Sequence, residues 1–140
     1  MKPRFIELYL DIAKRTAQMS HAKRLKVGAL CVKDDNILGY SWNGTPRGWD
    51  NCCEDENNKT KDIVIHAEAN VIDKVARQGG IGLKDSIMFI THAPCVPCAV
   101  DIIQAGITTV YYAEDYRDLH GVERLREGGV EVIKWPPSQE

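Results

Sequence analysis

The sequence predicts an α/β fold, a mixed β-sheet with helices on both faces, within a single domain over residues 1–140. Three observations predict it. Apolar spacing alternates along the chain between the helical repeat and short extended runs. A hairpin signal is followed by alternating helices and strands, and such alternation builds a sheet covered by helices. A length of 140 residues suits one domain with a moderate core.

Phe5, Ile6, Leu8, Tyr9, Ile12 and Ala13 recur at helical spacing and predict an amphipathic helix over residues 3–19. Val27 to Val32 is apolar throughout, which suits a strand buried on both faces. Asp34-Asp35-Asn36 is a turn signal, and Ile37 to Trp42 returns as the second strand of a hairpin. Residues 43–62 form the longest polar stretch, and a loop of that length in a compact domain is as a rule functional or disordered. From His66 to Val75 the pattern is helical, with Ala67, Val71, Ile72 and Val75 on one side and Gly79-Gly80 as its stop. Ile87 to Ile90, Val110 to Tyr112 and Val130 to Ile133 read as short strands. Val96 to Gln104 reads as a helix ended by Gly106, Tyr116 to Glu127 as a helix ended by Gly128-Gly129, and Pro136-Pro137 as a loose tail. The order α-β-β-α-β-α-β-α-β puts strand-to-helix connections at the sheet's carboxyl edge, where such folds place their sites.

Composition narrows the function classes. Hydrophobic content of 44% and charged content of 27% are ordinary for a globular chain. No apolar run is long enough for a membrane helix, and the first residues lack a signal-peptide core, so a cytoplasmic protein without a membrane partner is expected. A net charge of -2 speaks against a nucleic-acid partner, which needs a basic surface, but leaves room for one small anionic ligand. The five cysteines, Cys31, Cys52, Cys53, Cys95 and Cys98, read as metal-binding or redox residues rather than a disulfide framework.

The chemistry concentrates in His66-Ala67-Glu68 and Pro94-Cys95-Val96-Pro97-Cys98. One imidazole and two thiolates supply three ligands to Zn2+ and leave a fourth position for water, as a catalytic site requires. Cys95 and Cys98, three apart at a helix start, share one face, and the helix N-terminus favours thiolates. Glu68 as a fourth ligand would close the zinc, so Glu68 is assigned as the catalytic base and then acid. This is the motif pattern of zinc-dependent nucleobase deaminases. A lone C-x-x-C would equally suit a structural zinc or a redox pair.

Around these motifs the chain resembles the cytidine deaminase superfamily, and within it the deoxycytidylate (dCMP) deaminases. Val27-Gly28-Ala29, Asn43-Gly44-Thr45-Pro46, Asn51-Cys52-Cys53, His66-Ala67-Glu68-Ala69-Asn70, Thr91-His92-Ala93-Pro94-Cys95 and Gln104-Ala105-Gly106-Ile107 match that family's blocks in order, from about residue 5 to 134. The resemblance implies a three-layer cytidine-deaminase-like fold with a five-stranded mixed sheet. It implies hydrolysis of dCMP to dUMP and ammonia, a homohexamer, activation by dCTP with Mg2+, and inhibition by dTTP.

Several residues carry roles by resemblance. Asn43 matches a contact to the substrate's sugar region, though Asn-Gly is also a turn signal. Arg24 matches a cation for the 5′-phosphate, and it also belongs to the solvated run Lys23, Arg24, Lys26. Tyr116 matches a tyrosine that closes over the substrate, and Ala67 and His92 are expected in the pocket; Tyr116 and His92 have equally good structural readings. Gly44, Arg47 and Asn51 are the effector-binding candidates. Cys52 and Cys53 fit no standard zinc spacing, so one zinc per subunit is expected, with His21 and His120 on the surface and Cys31 in the core. Two departures stand out: Ala93 occupies a position that is often larger in relatives, and the 44–62 loop has its own pattern. Other readings are a deaminase acting on dCTP or cytidine, and a non-catalytic binding module held together by zinc.

Overall fold

The computed structural model describes residues 1–137. Among these residues the order is α1 (Pro3–Ala17), β1 (Gly28–Lys33), β2 (Asn36–Trp42), α2 (Ala67–Gln78), β3 (Ile87–His92), α3 (Val96–Gln104), β4 (Thr109–Glu114), α4 (His120–Glu127) and β5 (Glu131–Lys134). The five strands form one sheet in the order β2-β1-β3-β4-β5. β1 runs antiparallel to both neighbours, whereas β3, β4 and β5 are parallel. The carboxyl ends of β2, β3 and β4 therefore share one edge with the start of β1.

The pleat divides the core. Ala29 and Cys31 of β1, Met88 and Ile90 of β3, Val110 and Tyr112 of β4, and Val132 of β5 face the layer that holds Val71 of α2, Ile102 of α3 and Leu125 of α4. Leu30, Val32, Phe89 and Tyr111 point the other way, onto Ile6, Tyr9, Leu10 and Ala13 of α1. Phe89 stacks on Tyr111 with centroids 5.2 Å apart, and Tyr9 lies 5.0 Å from Phe89. Strand β1 is buried on both faces, as its unbroken apolar run predicts.

Two local expectations are corrected. Leu8 is 48% exposed, while Leu10 is buried. The α1 stripe runs through positions 6, 9, 10, 13 and 17, which leaves position 8 on the far side. The last helix begins at His120, not Tyr116. Asp118 accepts the backbone N–H of His120 at 3.0 Å, so the chain turns there and the preceding residues form a loop. Trp135 is tied to the sheet by its backbone N–H, which donates to the Tyr112 carbonyl at 2.8 Å. No helix among the described residues is long and apolar enough to cross a membrane.

Candidate active site

His66 and Cys95 occupy corresponding places in the fold. Each is the N-cap of its helix, with extended backbone at φ -67, ψ 154 and φ -75, ψ 169 respectively. Neither makes the usual side-chain capping bond. Their side chains turn instead toward each other. His66 Nδ1 lies 3.3 Å from Cys95 Sγ and 3.3 Å from Cys98 Sγ. Among the described residues this trio is the one group of three histidine, cysteine or carboxylate side chains whose donor atoms converge, all within 4.8 Å of one another. α2 is anchored beside it: Asn70 Nδ2 donates to the Trp42 carbonyl at 2.8 Å, joining the helix start to the end of β2.

The three groups of the trio set one another's proton affinity. The Cys95 thiol is pushed down to about 4, chiefly by the hydrogen bond from Cys98 and then by that from His66, against its own burial. Cys98 is pushed up, because it is the donor to that thiolate and is buried. His66 is raised by its bond to Cys95. Glu68 is 4% exposed. Burial raises its carboxyl to about 7, partly opposed by its own backbone N–H and by His66.

His66, Cys95 and Glu68 line a cleft of about 450 Å³ at the shared strand edge. Every residue expected to meet substrate lies along it: Arg24, Asn43, Ala67, His92 and Tyr116. Ala93, which directly follows β3, is in its wall. Glu114 and Asp115, at the end of β4, close the same side. A second, more open cavity shares Arg24, Thr60, His66, Tyr116 and Arg117 and adds Asn57, Asn58 and Lys59, with no carboxylate in its lining.

Several of these side chains are already engaged. Asn43 spends its carboxamide on the backbone, accepting from Val27 N at 2.9 Å and donating to Leu25 O at 2.8 Å. His92 uses both ring nitrogens: Nδ1 lies 2.8 Å from the Thr91 hydroxyl, and Nε2 lies 3.0 Å from Glu114. Thr91 Oγ1 accepts the Gly28 N–H at 3.2 Å, which frees its hydroxyl hydrogen for His92 Nδ1 and leaves Nε2 as the donor to Glu114. Tyr116 accepts a hydrogen bond from Arg117 at 2.9 Å, with the guanidinium 5.1 Å from its ring centroid.

Gly44, Arg47 and Asn51 lie outside the cleft lining. Gly44 pairs with Ile65 in a short antiparallel bridge, and Arg47 and Asn51 are exposed. Cys53 is buried against the cleft, and Cys52 Sγ lies 3.1 Å from the Glu54 carbonyl. Sequence reasoning missed Glu54. It is 6% exposed, and its carboxylate accepts the backbone N–H of Lys23 at 3.1 Å and of Arg24 at 3.5 Å. One glutamate in a polar run gives no signal of burial.

Residues 3–114 match the family described as the cytidine and deoxycytidylate deaminase zinc-binding region. The chain belongs to this deaminase family. It is 37% identical over 120 residues to ComE operon protein 2 of Bacillus subtilis, covering 83% of this chain and 63% of that one. It is 27% identical over 150 residues to the deoxycytidylate deaminase of Schizosaccharomyces pombe, covering 99% and 46%. This deaminase-family chain thus spans about half to two thirds of the length of these two relatives. A dCMP deaminase from the cyanophage S-TIM5, solved with dCMP and dUMP, matches with a TM-score of 0.93 at 44% identity, over 96% of this chain and 98% of that one. The five-stranded mixed sheet expected of the cytidine-deaminase-like fold is the sheet observed.

Proposed function

We propose that this chain hydrolyses dCMP to dUMP and ammonia, with zinc held by His66, Cys95 and Cys98 and with Glu68 as the proton carrier. One observation carries the reading: a nitrogen–sulfur trio converges beside a buried carboxylate, with His66, Cys95 and Glu68 opening onto one cleft. The likeness to a dCMP deaminase solved with dCMP and dUMP supports the choice of nucleotide.

The donor set fits the metal. Tetrahedral zinc with Zn–S near 2.3 Å and Zn–N near 2.0 Å separates nitrogen and sulfur by roughly 3.5 Å. The two N–S separations here are 3.3 Å, a few tenths shorter. Three protein donors are also one short of the four that close a structural site. Zinc held there supplies Lewis acidity that lowers the pKa of water toward neutrality.

Glu68 does the proton work. A carboxyl raised to about 7 both accepts and returns a proton near neutral pH. It takes a proton from the attacking water as oxygen bonds to C4 of the cytosine ring, and delivers it to N3. It then carries the second proton of that water to the amino group, the C4–N bond breaks, and ammonia leaves. Ala67 and Ala93 are small and buried, which leaves width for a planar ring between them and the cleft's opposite wall. Arg24, with Lys59 and Arg117 around the adjoining carboxylate-free cavity, supplies positive charge for the 5′-phosphate. Tyr116 lies between the two cavities, as a residue closing over the substrate would.

The family resemblance also supports a cytoplasmic homohexamer activated by dCTP with Mg2+ and inhibited by dTTP. Gly44, Arg47 and Asn51 lie outside the cleft, as an effector site separate from the substrate's requires.

Steady-state turnover of dCMP, deoxycytidine, cytidine and dCTP by the zinc-loaded protein, with and without dCTP and dTTP as effectors, tests all of this. dCMP should be the preferred substrate. Activity confined to nucleosides would remove the phosphate reading, and no turnover at all would leave a zinc-stabilised binding module.

A further inference from the structure

We infer that Gly121, in the first turn of α4, is a positioning residue for Cys95, and that the seat of α4 on the Pro94–Cys95 peptide sets how tightly the trio holds its metal. The inference rests on the reading of Cys95 as a ligand.

The geometry is specific. A Cβ built on Gly121 would lie 1.9 Å from the Pro94 carbonyl oxygen, 2.8 Å from the Pro94 carbonyl carbon and 2.9 Å from the Cys95 carbonyl carbon. All three are backbone atoms, so no side chain can swing aside to make room. Gly121 has no left-handed φ, and its helix gains nothing from a glycine at this position. What the missing Cβ permits is close approach: the α4 backbone lies directly on the peptide that leads into the ligand.

Other ties make this seat matter. The Ala93 N–H donates to the Glu114 carbonyl at 2.8 Å, and the Pro94 side chain is fully buried. The 93–95 segment is thus clamped by the end of β4 on one side and by α4 on another. Cys95 is the N-cap of α3, so its backbone also carries the first bond of that helix, accepting from Ala99 N at 2.9 Å. A methyl group at 121 has to displace either α4 or this peptide. If the peptide moves, the Cys95 sulfur leaves its place 3.3 Å from His66 Nδ1. Leu125, one turn along α4 and fully buried in the core, serves as the control for a loss of α4 packing.

The test compares the whole chain with Gly121→Ala and Leu125→Ala, reading zinc affinity by competition with a chromogenic chelator and stability by thermal melting. Gly121→Ala should weaken zinc on the order of 10- to 100-fold, the size of effect seen when the support of a ligand is disturbed. Leu125→Ala should lower the melting temperature yet keep the parent affinity in the folded protein. Parent affinity in Gly121→Ala would overturn the inference, as would equal losses of affinity in both variants.

Hydrogen exchange on the parent protein covers the case in which Gly121→Ala does not fold. Binding at one end of a coupled pair must stabilise the other. Zinc should therefore slow exchange across α4 more than across α1 on the opposite face of the sheet. Equal response of the two helices would refute the seat. A parent protein whose zinc affinity is unchanged by Cys95→Ala would instead refute the ligand reading beneath it, a result distinguishable from the other two.

Discussion

The side-chain oxygen of Asn43 accepts the backbone N–H of Val27 at 2.9 Å, across the gap between the end of β2 and the entry to β1. The same carboxamide donates to the Leu25 carbonyl at 2.8 Å, and the Asn43 carbonyl takes the Ser20 hydroxyl at 2.7 Å. A residue expected to meet the sugar thus first builds the wall on which the sugar would rest. Val27 and Leu25 both line the cleft. Asn43→Ala leaves a donor and an acceptor unpaired, which costs about 1–3 kcal/mol for each such group that stays dry. The expected outcome is a lower urea midpoint together with a raised KM for dCMP. A raised KM at unchanged stability would mean that the side chain acts on the substrate alone.

Glu68→Gln keeps the shape of the side chain and removes its proton chemistry. Zinc content should stay at the parent level, while kcat falls by on the order of 100- to 10,000-fold, the usual contribution of a placed acid–base group. Metal analysis beside steady-state kinetics checks both. A variant that turns over dCMP at the parent rate would remove Glu68 from the mechanism.

Removing the metal should loosen the fold around it. The trio joins the starts of α2 and α3, so bound zinc counts toward stability by mass action, about 2.7 kcal/mol when free zinc is 100 times its dissociation constant. Chelation should lower the melting temperature of the parent and leave that of Cys95→Ala nearly unchanged, since the variant has little zinc to lose. Equal shifts in the two proteins would show that the chelator acts elsewhere.

What the sequence discloses here follows from how local each signal is. His66 and Glu68 are two residues apart, Cys95 and Cys98 three, and each pair heads a helix that apolar spacing announces; the candidate group could be read without knowing the sheet. The strands were legible because β1 and β3 are buried on both faces and so carry unbroken apolar runs. The polar loop was not. Its order comes from hydrogen bonds: an antiparallel bridge of Glu54 with Thr60, Asp55 N to Lys59 O at 2.7 Å, and Lys61 N to Cys53 O at 2.8 Å. Such bonds leave no period in the side chains. The start of α4 was misread for a related reason, since Tyr116 fits the helical spacing but the turn made by Asp118 decides where the helix begins.

Tyr9 gives the fold an alkaline limit. Its hydroxyl, on a ring that is 4% exposed, donates to the carboxylate of Asp35 in the β1–β2 turn. That hydrogen bond, with burial and the charge of Asp35, raises the tyrosine to about 12 from its ordinary 10.0. A raised pKa means that the fold prefers the protonated ring. The stabilisation is therefore present in full below pH 10 and is lost as pH climbs from 10 to about 12. Urea midpoints at pH 8 and pH 11 should differ more in the parent than in Tyr9→Phe, which has no proton to lose. Equal differences would assign the alkaline loss to other groups.

Glu54 links the loop to the proposed phosphate cation. Its carboxylate accepts Lys23 N at 3.1 and 3.2 Å and Arg24 N at 3.5 Å, which fixes the backbone from which Arg24 reaches the cleft mouth. Glu54→Gln keeps one acceptor oxygen but turns an amide group toward donors. The expected loss is about 1.5–3 kcal/mol, the range for hydrogen bonds to a charged partner. The functional signature is sharper than the stability change. Arg24 is assigned to the phosphate and not to the reacting ring, so KM for dCMP should rise while kcat holds. Deoxycytidine, which has no phosphate, should be turned over with unchanged constants. Kinetics on both substrates decide the matter: equal losses on dCMP and deoxycytidine would mean that Glu54 supports the whole cleft and not the phosphate end of it.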